Sequence, residues 1–186
     1  DGMLGQMMEP VEFKENISLE LPSKFWAANG HENKRKHNVI SSLYLTPQKL
    51  ENLTLERYKK YEKIKESEQL AEEYLLDDAD IILVSYGASS RISKSAVDMA
   101  RKQGIKAGVI RPITLWPFPI KFIQKYINQA NKFLCVEMSM GQMVDDVRLA
   151  VNGLKPVYFY GRTGGIIPTP NEVLNEIKRL ASGGNE

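Results

Sequence analysis

The most chemically suggestive stretch of this chain is Gly87-Ala88-Ser89-Ser90-Arg91, at the end of an apolar run. A glycine-serine turn that opens a helix directs backbone N–H groups at any anion placed there, and Arg91 would add a guanidinium. The turn lacks the closing glycine of a nucleophile elbow, the glycine spacing of a dinucleotide fold and the lysine of a P-loop. Helix capping by Ser89 or Ser90 is therefore the ordinary reading, and an anion or partner contact is the alternative. A nucleophilic serine would also need a base. His31 and His37, the two histidines, both sit in the basic run "HENKRKH", which reads as a solvated loop, so a hydrolytic triad lacks its imidazole.

Three further positions invite chemistry. Cys135 lies between Leu134 and Val136 in an apolar run, as a buried structural cysteine would. As the only cysteine it excludes an internal disulfide and cannot by itself hold an iron–sulfur cluster, which takes about four thiolates. Glu137 ends the same run, ahead of Ser139 and Gly141, where a carboxylate could orient a partner, pair with an arginine or serve the structure. Arg162 stands beside a glycine pair in "GRTGGIIPTP" and could meet a carboxylate or phosphate, although a glycine-dependent connection from strand to helix explains the stretch as well. Glu66, Glu68, Glu72 and Glu73 read as an exposed face rather than an acid/base pair. No residue of this chain is assigned as catalytic, cofactor-binding or metal-binding.

The elements that must position these residues follow from periodicity. Thr46 and Pro47 give an N-cap and a first-turn proline, and the glycine- and proline-free stretch to Leu76 carries Leu50, Leu53, Tyr58, Tyr61 and Ile64, which predicts one long amphipathic helix. From Asp80 strands and helices alternate: "DIILVSY", a helix ended by Gly104, "IKAGVI", "PIKFIQKYINQA", "KFLCVEM", "QMVDDVRLAV", "PVYFYG", and a last helix "NEVLNEIKRL". This alternation predicts an α/β fold, a three-layer α/β/α arrangement on a mainly parallel sheet, with binding expected at the C-terminal ends of the strands. Residues 1–45, with Pro22 and Gly30, show neither period and read as irregular.

Bulk properties narrow the function classes. A hydrophobic content of 42% over 186 residues supports a core, and a net charge of +2 gives no global field for nucleic acid or an anionic membrane. No apolar stretch approaches the roughly 20 residues that span a bilayer, and no signal-peptide pattern is present. The reading is a protein of the reducing cytoplasm. The opening "DGMLGQMMEP" has no initiator methionine and reads as a piece of a longer polypeptide.

Four stretches taken in order, "DGMLGQMMEP", "DDADIILVSYGASSRISKSAVDMARKQGIKAGVIRPITLWPFP", "VEMSMGQMVDDVRLAV" and "GRTGGIIPTPNEV", resemble the α subunit of 2-oxoacid:ferredoxin oxidoreductases, nearest to the 2-oxoisovalerate type. The resemblance implies a parent complex that decarboxylates a 2-oxo acid on thiamine diphosphate with Mg2+, passes electrons through iron–sulfur clusters to ferredoxin and hands the acyl group to coenzyme A. It implies that residues 1–13 end a pyrimidine-binding domain, that 14–79 form a linker with a long helix, and that 80–186 form a transketolase C-terminal-like domain. The Gly-Asp-Gly motif for Mg2+ and diphosphate does not occur in this sequence, so these cofactors are expected on other domains or subunits. This segment would then serve assembly with the other subunits, with Arg91, Arg111, Trp116, Glu137, Gln142 and Arg162 near the contact edge and "RPITLWPFP" acting as a rigid loop. Alternatives are a 2-oxoglutarate-specific enzyme of the same family, the β subunit of a lipoate- and NAD-linked 2-oxoacid dehydrogenase, and a stand-alone phosphate-binding α/β module.

Overall fold

A computed structural model describes residues 2–8, 10, 12–13 and 21–184. The remaining positions of the 1–13 and 14–79 segments, and the last two residues, lie outside the described residues.

The fold is organised by β2 (Ile81–Val84), whose four apolar residues are all buried. A strand apolar on both faces must be covered on both, and the chain supplies two helical layers. β2 pairs in parallel with β3 (Ala107–Pro112) on one side and with β4 (Lys132–Glu137) on the other, and β4 pairs in parallel with β5 (Val157–Gly161). On one face Ile81, Leu83, Val109, Leu134 and Val136 meet α3 (Gly87–Arg101) and α6 (Pro170–Ala181), through Ile92, Ala96, Val97 and Ala100 of α3 and Val173, Leu174, Ile177 and Leu180 of α6. On the other, Ile82, Val84, Ile110, Phe133 and Cys135 meet Ile123 of α4 (Ile120–Gln124), Tyr126 and Ile127 beyond it, and Val144, Val147 and Val151 of α5 (Met143–Val151). Each large aliphatic side chain fully buried in this way contributes roughly 1.5–3 kcal/mol. The expected three-layer α/β/α order around a mainly parallel sheet is the observed one.

A short helix, α1 (Gly2–Gln6), lies within the 1–45 stretch that reads as irregular, and the long helix is shorter than its sequence predicts. α2 (Pro47–Ser67) stops before the predicted Leu76, and Ala71–Tyr74 forms an edge strand, β1, antiparallel to β3, so the sheet order is β1-β3-β2-β4-β5. "AEEY" has fair helix propensity, but tertiary partners outweigh it. Glu72 sits directly opposite Arg111 and ion-pairs with it and with Lys94. Glu73 accepts from Lys125 Nζ and Tyr126 Oη, and Tyr74 Oη donates to Asp98 at 2.7 Å. Glu72 and Glu73 therefore tie the edge strand down and are not a free acidic face. α2 itself has no buried residue. Its C-terminal end meets the rest of the chain through Tyr61, edge-on to Trp116, and through Lys121, whose Nζ donates to the Glu66 carbonyl.

Helix starts also differ from expectation. α3 begins at Gly87 after Tyr86 with no side-chain cap, and Ser90 Oγ instead donates to the Gly87 carbonyl at 2.7 Å, so neither serine caps the helix. Ser89, Ser90 and Ser93 are buried small residues. α6 carries a capping box that the sequence reading did not single out, Thr169 with Glu172. The "HENKRKH" run lies in a surface loop closed by Arg35, whose Nη2 donates to the Ala27 and Gly30 carbonyls.

Gly108 marks where the turn after β1 crosses the sheet: a Cβ there would lie 2.5 Å from the Leu75 carbonyl oxygen and 2.7 Å from Leu76 Cδ2. Gly108→Ala is expected to destabilise the chain by about 1–3 kcal/mol in equilibrium denaturation, and an unchanged midpoint would contradict this packing. The ion pairs of Glu72 carry a pH signature. Lys94, its strongest partner, and Arg111 hold its carboxyl below the ordinary carboxylate range. Its contribution is therefore present above the unfolded carboxylate pKa and is lost as pH falls through the lower folded value. Glu72→Gln should flatten stability against pH on the acid side and leave the neutral-to-alkaline slope as it is.

Candidate functional site

The C-terminal ends of the parallel strands converge on one edge, where the chain leaves β2 for α3, β3 for the Ile113–Pro119 loop, β4 for α5 and β5 for the Arg162–Pro168 loop. β2 leads to a helix on one face and β4 to a helix on the other, so their adjacent ends form the switch point of the sheet.

Glu137 is the most constrained group there. It is 2% exposed at the end of β4, and its carboxylate is turned into the start of α5. Oε1 accepts from the backbone N–H of Gln142 and Val144, each at 3.1 Å, while Oε2 accepts from Met143 N–H at 3.1 Å and Ser139 Oγ–H at 2.9 Å. Ser139 Oγ in turn accepts from Gly141 N–H at 2.9 Å. An anion with aligned donors at a helix N-terminus is strongly favoured, which offsets the desolvation of the charge. The neighbouring strand makes room for the loop: a Cβ on Gly161 would lie 2.4 Å from the Ser139 carbonyl oxygen.

Burial beside this carboxylate fixes the chemistry of Cys135. The thiol is buried, and burial, followed by the negative charge of Glu137, pushes its pKa well above the ordinary thiol range. A thiol kept protonated is neither a nucleophile nor a metal ligand. Asp146 is likewise raised, by burial and then by Asp145 and Glu137.

The six residues expected at the contact edge fall into three places. Arg91 and Arg111 line one shallow groove with Met8 and Lys94; Arg91 Nη1 donates to the Met7 carbonyl at 2.8 Å, and Arg111 is held by Glu72 at 3.1 Å. Glu137, Gln142 and Arg162 form a second group, in which Arg162 N–H donates to the Glu137 carbonyl at 3.3 Å and the Arg162 guanidinium pairs with Glu172 at 3.1 Å. Trp116 stands apart, 57% exposed, against Tyr61 of α2. Trp116 and Gln142 present their side chains to solvent, the three arginines are half-buried and engaged within the chain, and Glu137 is turned inward. The sequence reading passed over Met138 and Met140, 44% and 84% exposed on the loop that Glu137 braces. Exposed apolar residues straight after a strand-ending carboxylate were the available signal.

Among the described residues no group of three or more His, Cys, Asp or Glu gathers. A groove of about 450 Å³ lies at the opposite end of the strands, lined by Asp80, Lys106, Asn131 and Lys132, and Lys132 Nζ there is turned to the Leu180 carbonyl. Among the described residues no helix is long and apolar enough to cross a membrane.

Comparison with known proteins identifies this architecture. Residues 79–173 match the family model described as pyruvate:ferredoxin oxidoreductase core domain II. The chain belongs to this family. The ketoisovalerate oxidoreductase subunits VorB of Methanothermobacter thermautotrophicus and M. marburgensis are 41% and 40% identical to it, over 97% and 100% of its length. The 2-oxoglutarate synthase subunit KorA of M. marburgensis is 45% identical over 54% of the chain and 27% of that protein. The chain spans about half the length of the VorB relatives, 51% and 52%. Among solved structures, 2-oxoglutarate:ferredoxin oxidoreductase from Magnetococcus marinus superposes with a TM-score of 0.62 at 20% identity, covering 73% of this chain and 24% of that one. A split-gene transketolase superposes at 0.54 with 16% identity, covering 62% and 42%. Both share the fold of core domain II.

Cys135 of this core domain II should resist alkylation by iodoacetamide at neutral pH in the folded chain and react stoichiometrically once the chain is unfolded in denaturant. Rapid labelling of the native protein, read by mass spectrometry, would contradict its burial.

Proposed function

We propose that the chain is the C-terminal part of the α subunit of a thiamine-diphosphate-dependent 2-oxoacid:ferredoxin oxidoreductase. The parent reaction in this reading is oxidative decarboxylation of a 2-oxo acid, 2-oxoisovalerate first, to acyl-CoA with electrons delivered to ferredoxin. The observation that carries it is identity at the 40% level with ketoisovalerate oxidoreductase subunits along nearly the whole chain. The setting in this reading is cytoplasmic.

In this division of labour residues 1–13 close an upstream pyrimidine-binding domain, 14–79 link, and 80–186 form the transketolase C-terminal-like domain, with β1 reaching back from the linker onto the sheet. Thiamine diphosphate and Mg2+ belong to other domains or subunits, as this sequence lacks the Gly-Asp-Gly motif, and so do the iron–sulfur clusters, since its one cysteine is buried. No step of the chemistry is assigned to its residues. Its task is assembly, with the edge that carries Arg91, Arg111, Trp116, Glu137, Gln142 and Arg162 facing its neighbours. A large aromatic left more than half exposed beside a proline-fixed loop supports this use of Trp116.

The test is the full-length subunit co-produced anaerobically with its neighbours and assayed for CoA-dependent viologen reduction on branched-chain 2-oxo acids, 2-oxoglutarate and pyruvate. Turnover is expected to be highest on branched-chain acids. Preference for 2-oxoglutarate would move the assignment within the family, and no turnover in a cofactor-loaded complex would remove it. Trp116→Ala is expected to weaken subunit assembly about tenfold or more, read by analytical ultracentrifugation. Assembly and activity unchanged in a Trp116→Ala, Arg111→Ala double variant would remove both from the interface.

A further inference from the structure

Resting on the assembly reading above, we infer that Glu137 is a positioning residue for subunit association: its carboxylate fixes the 138–142 loop so that Met138 and Met140 meet an apolar surface of a partner subunit.

The loop is held from three directions. From inside, Glu137 takes the N–H groups of Gln142, Met143 and Val144 and the hydroxyl of Ser139. From the side, β5 lets the Ser139 carbonyl approach because position 161 has no side chain. At its far end Gly141 turns the chain at φ +110°, a conformation that side chains rarely adopt. Starting a helix does not require this much. α6 starts with a threonine hydroxyl and a half-buried glutamate, and α3 with no side-chain cap at all. Burying a full negative charge is costly unless every lone pair is engaged, so it is an expensive way to cap nine residues of α5 and an effective way to freeze the loop before it.

What the frozen loop displays is apolar. Met138 and Met140 are 44% and 84% exposed, and Tyr86 and Ile166, on the loops that follow β2 and β5, are also exposed at this edge. Methionine adapts its shape to an apolar partner, and a backbone already fixed before association loses little conformational freedom on binding. The VorB and KorA relatives are themselves subunits by name, which makes another subunit of the oxidoreductase the occupant.

Hydrogen peroxide transfers one oxygen to an accessible thioether and leaves water, so oxidation rates read by peptide mass spectrometry report on each methionine separately. In the assembled complex of full-length subunits, Met140 should oxidise about tenfold or more slowly than in the chain of residues 1–186, with Met138 following it; Met143, 5% exposed, should be slow in both. In the complex, Glu137→Gln should partly release Met140 and weaken assembly, because Oε1 can still accept from Gln142 and Val144 while Nε2 cannot accept from Met143. Glu137→Ala should release it fully. A slow Met143 shows that the core of either variant is intact. If Glu137→Ala does not fold, the wild-type comparison and Glu137→Gln still decide. Equal oxidation of Met140 in the complex and the chain overturns the proposal, as does Glu137→Gln with full protection and wild-type assembly. An inactive complex that protects Met140 removes the activity reading and keeps this one; an active complex that leaves Met140 open does the reverse.

Discussion

Everything in this domain depends on β2 having no face toward water. Ile81 and Leu83 point to one helical layer and Ile82 and Val84 to the other, so a slip of one residue would exchange the two sets across the sheet. Its parallel neighbours inherit that register, Leu83 lying between Val109 and Leu134. The loops leaving the strands are thereby brought to a common edge with fixed spacing. The edge is a consequence of the core, and residues far apart in sequence, such as Glu137 and Arg162, become neighbours on it.

Electrostatics at the helix starts then distinguishes one loop from the others. α5 receives a fully buried carboxylate, α6 a hydroxyl and a half-buried carboxylate, and α3 neither. Burial keeps Cys135 protonated, and the charge that starts α5 adds to it, so the loop is rigid and the thiol inert.

The parallel core was legible because its signals are local. "DIILVSY", Gly104, "KFLCVEM" and "PVYFYG" carry their strands and stops on their face, and the stretches shared with the oxidoreductases follow the same order. β1 was not legible. "AEEY" reads as helix until Arg111, Lys94, Lys125 and Tyr126 are placed around it, and those partners come from three other parts of the chain. The serines after Gly87 read as caps because the pattern does not say which residue ends the turn; Tyr86 does, and the serines fall inside the helix. The position of Glu137 could be read from sequence but its direction could not. Whether a strand-ending carboxylate faces a partner or its own helix is decided by the seven residues that follow it, and here they fold back over it.

The two borders of the sheet are unlike in a way that bears on how the chain behaves in a cell. On one border the antiparallel β1 carries Glu72 and Glu73, whose charges and short length discourage another strand from adding there. On the other border β5, "VYFYG", is half-buried along its whole length, aromatic and free of charge, and among the described residues no strand pairs with its outer side. Such a border is a template for unwanted strand addition. Unless another element covers it, that border leaves the chain with one adhesive edge.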